Sequence, residues 1–255
     1  MKKLKVSILY LLLTLICFVT GLFKEYLVFS SIIIFHELGH VVVSLLYKWK
    51  IKEINLNIYG GCIIFENIIN KRFIEEFLVC IAGISLQFIY FLVMYILYNN
   101  SVVDIKLYTI FNNYNLSIII FNMLPIYPLD GSKLINILLN RVVCFKKSHL
   151  ISICVSILLI ILFIVCSIKY NLGINFYLMS VLLIVKLVKE IKNHSYLFNN
   201  FLLERYLYKY KFKNKVISDY NVNKMYKYKN NIFSKNNRYI DEKDVLSNYF
   251  SKNKF

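Results

Sequence analysis

His36, Glu37 and His40 stand together in "SSIIIFHELGHVVVSLLY", residues Ser30 to Tyr47, a stretch apolar enough to lie in lipid. Ionisable side chains at the centre of a bilayer cost roughly 2.5–3.5 kcal/mol each on insertion scales, so they persist where they are paired, hydrated or bound. Histidines four apart on an α-helix project from one face, one turn above the other. Two imidazoles so placed can hold one tetrahedral zinc. Glu37, turned about 100° round the helix, can then reach a water on that metal without being a ligand. Zinc lowers the pKa of such a water toward about 7 and a carboxylate takes its proton, which is the chemistry of a metallopeptidase. Gly39 inside the motif lets a neighbouring backbone come close.

A catalytic zinc needs a third protein ligand and an open position. "FNMLPIYPLDGSKL" packs Asn122, Pro125, Pro128 and Asp130 into nine residues and holds both prolines of the chain. Proline breaks or kinks a helix, and broken backbone at membrane depth is tolerated only where it is buried in protein or lines a wet cavity. Asp130 is therefore the candidate third ligand. Its plainer reading is the N-cap of a helix over "GSKLINILLN", and the two roles can coexist. The other two histidines, His149 and His194, sit beside the ends of apolar runs and read as interfacial rather than catalytic.

The elements that must position these residues read as membrane helices. With 58% hydrophobic residues in 255 and only two prolines, the chain is too apolar for a soluble domain. Apolar stretches of spanning length fall near Val6–Phe23, Leu27–Tyr47, Phe77–Tyr98, Leu107–Leu124, Leu150–Ile168 and Leu172–Val188. The expected fold class is an all-α polytopic membrane protein with about six transmembrane helices and a short membrane-dipping β-hairpin or loop after the second. The expected domains are a six-helix bundle over 1–192 and a basic tail over 193–255. "MKKLK" and the run after it resemble a signal peptide, but without a small-residue cleavage site the segment reads as a first helix that stays. The lysines cluster at the N-terminus, in alternate connections and in the tail, which places both termini in the cytoplasm. The formal charge of +17 is thereby assigned to topology and anionic lipid, not to nucleic acid.

Between the second and third spans, "WKIKEINLNIYGGCIIFEN" contains Gly60-Gly61 and suits a hairpin or an ordinary loop equally. In the tail, "FLLERYLYKYKFK" has the pattern of a basic amphipathic helix lying on anionic lipid. None of the six cysteines forms a C-x-x-C pair, so they read as packing residues.

"HELGH" and "NMLPIYPLDG", in this order and separation, resemble the signatures of the site-2 protease family of intramembrane zinc metalloproteases. The six-span layout and the N-x-x-P-x-x-P-L-D-G variant look most like its sporulation branch. The resemblance covers roughly residues 1 to 205. It implies one zinc held by His36, His40 and Asp130, with Glu37 as catalytic acid/base and Asn122 orienting substrate or polarising the scissile carbonyl. Gly60, Gly61 and Pro128 would contact an extended substrate. The implied substrate is a membrane-associated protein, the pro-form of sporulation sigma factor K. The implied location is the mother-cell membrane around the forespore, with inhibitory sporulation membrane proteins as further partners. Two departures stand out: Ser132 replaces a glycine frequent after Asp-Gly, and the tail lacks the apolar pattern of the nucleotide-binding CBS domain found in many relatives. Against the protease stand two other readings, a membrane metal transporter using the same ligands and a membrane protein that binds clients without cutting them.

Overall fold

The computed structural model describes residues 3–6, 8–57, 60–65, 69–171, 173–208, 210, 212, 214–236 and 238–252. The chain forms two compact units, one of Met1–Ile68 with Ile74–Asn122 and one of Ile69–Phe73 with Met123–Phe255.

The first unit holds β1 (Lys3–Val6), α1 (Ile8–Val19), α2 (Phe23–Leu46), β2 (Ile51–Asn57), β3 (Gly60–Phe65), α3 (Phe73–Asn99) and α4 (Ile105–Met123). The usual helix amphipathicity is inverted in α2. Its buried residues are Tyr26, Ile32, His36, Gly39, His40 and Ser44, while Ile34, Phe35, Leu38, Val42 and Leu45 are exposed. That is what lipid on one side demands: the apolar face meets hydrocarbon and the small and polar face meets protein. The same inversion marks α3, which buries Glu76, Val79, Cys80, Ala82, Gly83 and Gln87. The two stripes meet where both helices are small. A Cβ added to Gly39 would collide with the Ala82 carbonyl oxygen and stand 2.7 Å from its carbon and 2.9 Å from Gly83 Cα.

The Gly60-Gly61 segment is a hairpin strand rather than an ordinary loop: β2 and β3 pair antiparallel, with Leu56 opposite Gly61 and Asn57 opposite Gly60. The sheet order is β1-β2-β3, with β1 parallel to β2. The sequence expectation put a span over Val6–Phe23. Instead β1 takes Lys3–Val6 and α1 keeps 12 residues, about 18 Å of helix against a hydrocarbon core of about 30 Å.

The second unit holds α5 (Asp130–Val142), α6 (Phe145–Lys169), α7 (Ile174–Leu207), β4 (Lys215–Asp219), a 3-10 turn at Val222–Lys224, β5 (Asn230–Lys235), β6 (Arg238–Asp241) and α8 (Glu242–Lys252). Residues expected as a tail from 193 onward continue α7 without a break, and beyond it β4 pairs parallel with β5 and β5 antiparallel with β6. The segment expected as a surface helix leaves the helix at Tyr208, and its apolar side packs into a core of Phe145, Phe198, Phe201, Leu202, Met225, Phe233, Val245 and Leu246. Burying each large apolar side chain is worth roughly 1.5–3 kcal/mol, which explains why a Lys- and Asn-rich segment folds here.

Among the described residues, three helices are long and apolar enough to cross a membrane: Phe23–Leu46, Phe73–Asn99 and Phe145–Lys169. The class is mostly helical with two small sheets among the described residues rather than all-α.

Candidate functional site

His36 and His40 lie on the buried face of α2, 4% and 9% exposed, with their Nε2 atoms 3.2 Å apart. What fixes their chemistry is the other nitrogen of each ring. His40 Nδ1 lies 2.7 Å from the Val79 carbonyl oxygen, which can only accept. His36 Nδ1 lies 3.0 Å from Gln87 Oε1. The Gln87 amide cannot be turned round, because its Nε2 donates to the backbone oxygen and Oδ1 of Asn115 at 3.1 and 2.9 Å. Both Nδ1 atoms therefore carry the hydrogen, and in neutral rings both Nε2 atoms present lone pairs.

Two lone pairs 3.2 Å apart repel unless a cation lies between them. Nitrogens bound at 2.0–2.1 Å in a tetrahedral zinc site stand about 3.3 Å apart, so the spacing fits that metal. A carbonyl or amide oxygen holding the far ring nitrogen is the usual support of a metal-ligating histidine. The space for the two rings comes from Gly83. A Cβ there would run into His40 Nε2 and stand 2.7 Å from His40 Cε1 and 2.8 Å from His36 Cε1.

The structure places Asn122 at the end of α4 with its Nδ2 3.5 Å from His36 Nε2. Glu37 follows His36 on α2 and is half-buried. In the second unit, Asp130 is buried and opens α5 as its first helical residue, while Leu129 occupies the cap. The plainer reading of Asp130 as N-cap is thus corrected: Leu129, in extended backbone, ends the irregular segment one residue earlier. The Asp130 carboxylate oxygen accepts from Lys133 Nζ at 2.8 Å. Pro128 precedes it, with the Tyr127–Pro128 peptide bond cis. Gly60 and Gly61 lie in β3, hydrogen-bonded to β2.

Gln87, Asn115 and Gly83 were not singled out in the sequence. The signal for Gln87 was present: one amide inside the apolar run "ISLQFIYFLVMYILY" must find partners or lose several kcal/mol by rough transfer estimates.

No protein-family profile matches the sequence. Stage IV sporulation protein FB of Bacillus subtilis is 36% identical over 197 residues, which cover 73% of this chain and 65% of that protein. The solved structure of the site-2 protease from Methanocaldococcus jannaschii shares the fold, with a TM-score of 0.58 and 24% identity over 73% of this chain and 89% of that one. In sequence and in fold the chain is similar to site-2 proteases. A zinc metalloprotease of Methanocaldococcus jannaschii is 32% identical over 126 residues, 48% of this chain and 36% of that protein. The matches span under two thirds of the length of each of these curated relatives. Like the site-2 proteases it resembles in fold, the protein is an integral membrane protein by its long apolar helices.

Proposed function

We propose that this site-2 protease relative is an intramembrane zinc metalloendopeptidase that cuts a membrane-associated protein. The observation that carries this reading is the pair of imidazoles whose Nδ1 atoms are both committed to oxygen acceptors and whose Nε2 atoms lie 3.2 Å apart. His36, His40 and Asp130 would hold one zinc per chain. Bound zinc would supply Lewis acidity, which polarises a carbonyl and brings the acidity of water into the neutral range. Glu37 takes the proton of the attacking water on its carboxylate and returns it to the leaving amide nitrogen. The Asn122 amide donates to the carbonyl oxygen as negative charge gathers there.

A helical peptide bond is shielded and its carbonyl is already hydrogen-bonded, so the substrate must be held extended. β3 has one neighbour in its sheet, β2, and its other edge can take a substrate strand by backbone hydrogen bonding. Gly60 and Gly61 at its start present no side chains to obstruct it, and Pro128 contacts the same substrate. Several membrane passes with both termini cytoplasmic, a basic 193–255 region with 13 Lys and Arg against 5 Asp and Glu meeting anionic lipid, and residence in the mother-cell membrane complete the reading. The substrate is the pro-form of sporulation sigma factor K, with inhibitory sporulation membrane proteins as regulators. The relative of 36% identity supports that choice, being itself named for sporulation.

The test is co-expression of the full chain with that pro-form, following the size of the substrate while zinc is assayed in the purified protein. The reading expects a shortened substrate and zinc in the wild type, and Asp130→Asn with neither. Asp130→Asn that keeps zinc as tightly as the wild type would remove it from the ligand set. Gln87→Leu leaves the His36 Nδ1–H without its acceptor. It is expected to weaken zinc about 10–100-fold in a chelator competition, the usual cost of losing such a support; an unchanged competition curve would contradict the orientation argument.

A further inference from the structure

The chain's other two histidines are also a pair, and a different kind of pair. His149, the fifth residue of α6 and 4% exposed, places Nδ1 2.7 Å from Nδ1 of His194 on α7. Their rings stack at 15° with centroids 4.9 Å apart. Nitrogens sharing a tetrahedral zinc stand about 3.3 Å apart, whereas 2.7 Å is the length of a hydrogen bond. One proton lies between these nitrogens.

Which ring supplies it follows from the outer contacts. His149 Nε2 lies 3.0 Å from Glu190 Oε1, so His149 carries its hydrogen on Nε2 and, when neutral, accepts at Nδ1 from His194 Nδ1–H. His194 Nε2 is then a lone pair, which suits its buried place without a hydrogen-bond partner better than an N–H would. The bridge tolerates one added proton, on either ring. A second proton sets two N–H groups head to head and severs it. Burial, then His149 and Lys146, hold the His194 imidazole below its ordinary pKa against the pull of Glu190.

The other face of His149 meets Tyr127, ring centroids 5.5 Å apart. Tyr127 is held on three sides. Its phenol oxygen accepts from Asn136 Nδ2 at 3.0 Å, its backbone N–H donates to Ser156 Oγ at 3.0 Å, and its ring rests on His149. Ser156 Oγ gives its single hydrogen to the Ser152 carbonyl at 2.8 Å and lies 3.3 Å from the Pro125 carbonyl. Tyr127 stands between Pro125 and Asp130 in the helix break.

We propose that Glu190, His149 and His194 are positioning residues whose shared proton, acting through Tyr127, sets the place of the Pro125–Asp130 segment and hence of the Asp130 carboxylate. This rests on Asp130 being a metal ligand. A neutral amide can replace one imidazole in the bridge, while an alkyl group cannot. Chelator competition on the full chain in lipid nanodiscs should therefore show zinc held about tenfold more weakly in His194→Leu and within about twofold of wild type in His194→Gln.

His194→Leu matching the wild type while Asp130→Asn loses zinc would overturn this inference alone. Equal loss in His194→Leu and His194→Gln would do the same, since packing and not the proton would then matter. Zinc held unchanged in Asp130→Asn would overturn the ligand reading and this inference with it. The 15N-histidine spectrum of the wild type decides even if the variants fail to fold. The bridge predicts the Nε2–H tautomer for His149 and the Nδ1–H tautomer for His194, and the same tautomer on both rings would overturn it.

Discussion

Replacing Glu37 by glutamine is expected to stop peptide hydrolysis and to leave zinc binding intact. The amide is the same size as the carboxylate and sits on the same half-buried position of α2, so the helix and its neighbours His36 and His40 are undisturbed. What it loses is the ability to take a proton from water, a contribution of about 10²–10⁴ in rate for a positioned general base. His36 and His40 keep their Nδ1 contacts to Gln87 and Val79, so zinc content stays at the wild-type level. Substrate size on a gel and metal analysis of the same preparation check both halves. Cleavage by Glu37→Gln at the wild-type rate would remove Glu37 from the mechanism, and loss of zinc with it would make it a ligand instead.

Gly83→Ala has an equally large expected effect through geometry alone. The new methyl would occupy the space of His40 Nε2 and crowd the Cε1 atoms of both rings to under 3 Å. These neighbours are ring atoms fixed at their far side by hydrogen bonds, so they cannot swing away without breaking those bonds. A retreat of α3 would open the close backbone contact between Gly39 and Ala82 one residue away. Crowding of this kind costs about 1–3 kcal/mol in a packed interior. Here it falls on the nitrogen that would hold the metal, so zinc and cleavage are lost together. Ser85→Ala, two residues on and hydrogen-bonded to the Ile81 carbonyl of its own helix, is the control expected to keep both. Zinc retained by Gly83→Ala at wild-type affinity would show that the rings do not sit as described.

The placement of His36 and His40 on one buried face was legible, because it depends on spacing within one helix. His36, Glu37 and His40 needed only the helical repeat, and the close approach at Gly39 followed from its lack of a side chain. Gly60-Gly61 announced a turn, though composition left hairpin and loop equal until β2 supplied the pairing. What was hidden depends on partners far away in sequence. Gln87 matters because its amide links Asn115 to His36, a relation no local pattern carries. β1 looked like the charged start of a membrane helix, and it is a strand because β2 lies beside it.

The 193–255 region was the hardest to read. Its abundance of Lys, Asn and Tyr masks five apolar anchors, Met225, Phe233, Val245, Leu246 and Ile240, whose mates Phe198, Phe201 and Leu202 belong to α7. His149 and His194 were taken for interfacial residues because each stands alone in its own segment. They become a pair only when α6 and α7 pack side by side. The step at Asp130 was missed by one residue: the helix begins with the aspartate and not after it.

The most direct test of the central claim is the metal itself. Zinc stoichiometry and X-ray absorption at the zinc edge, measured on the full chain purified in lipid nanodiscs, are predicted to give one zinc per chain. Its shell should contain two imidazole nitrogens at about 2.0–2.1 Å and oxygen ligands completing four, with both imidazole signals gone in the double variant His36→Ala, His40→Ala. Folded protein that binds no zinc, or zinc whose shell contains no imidazole, would contradict the account.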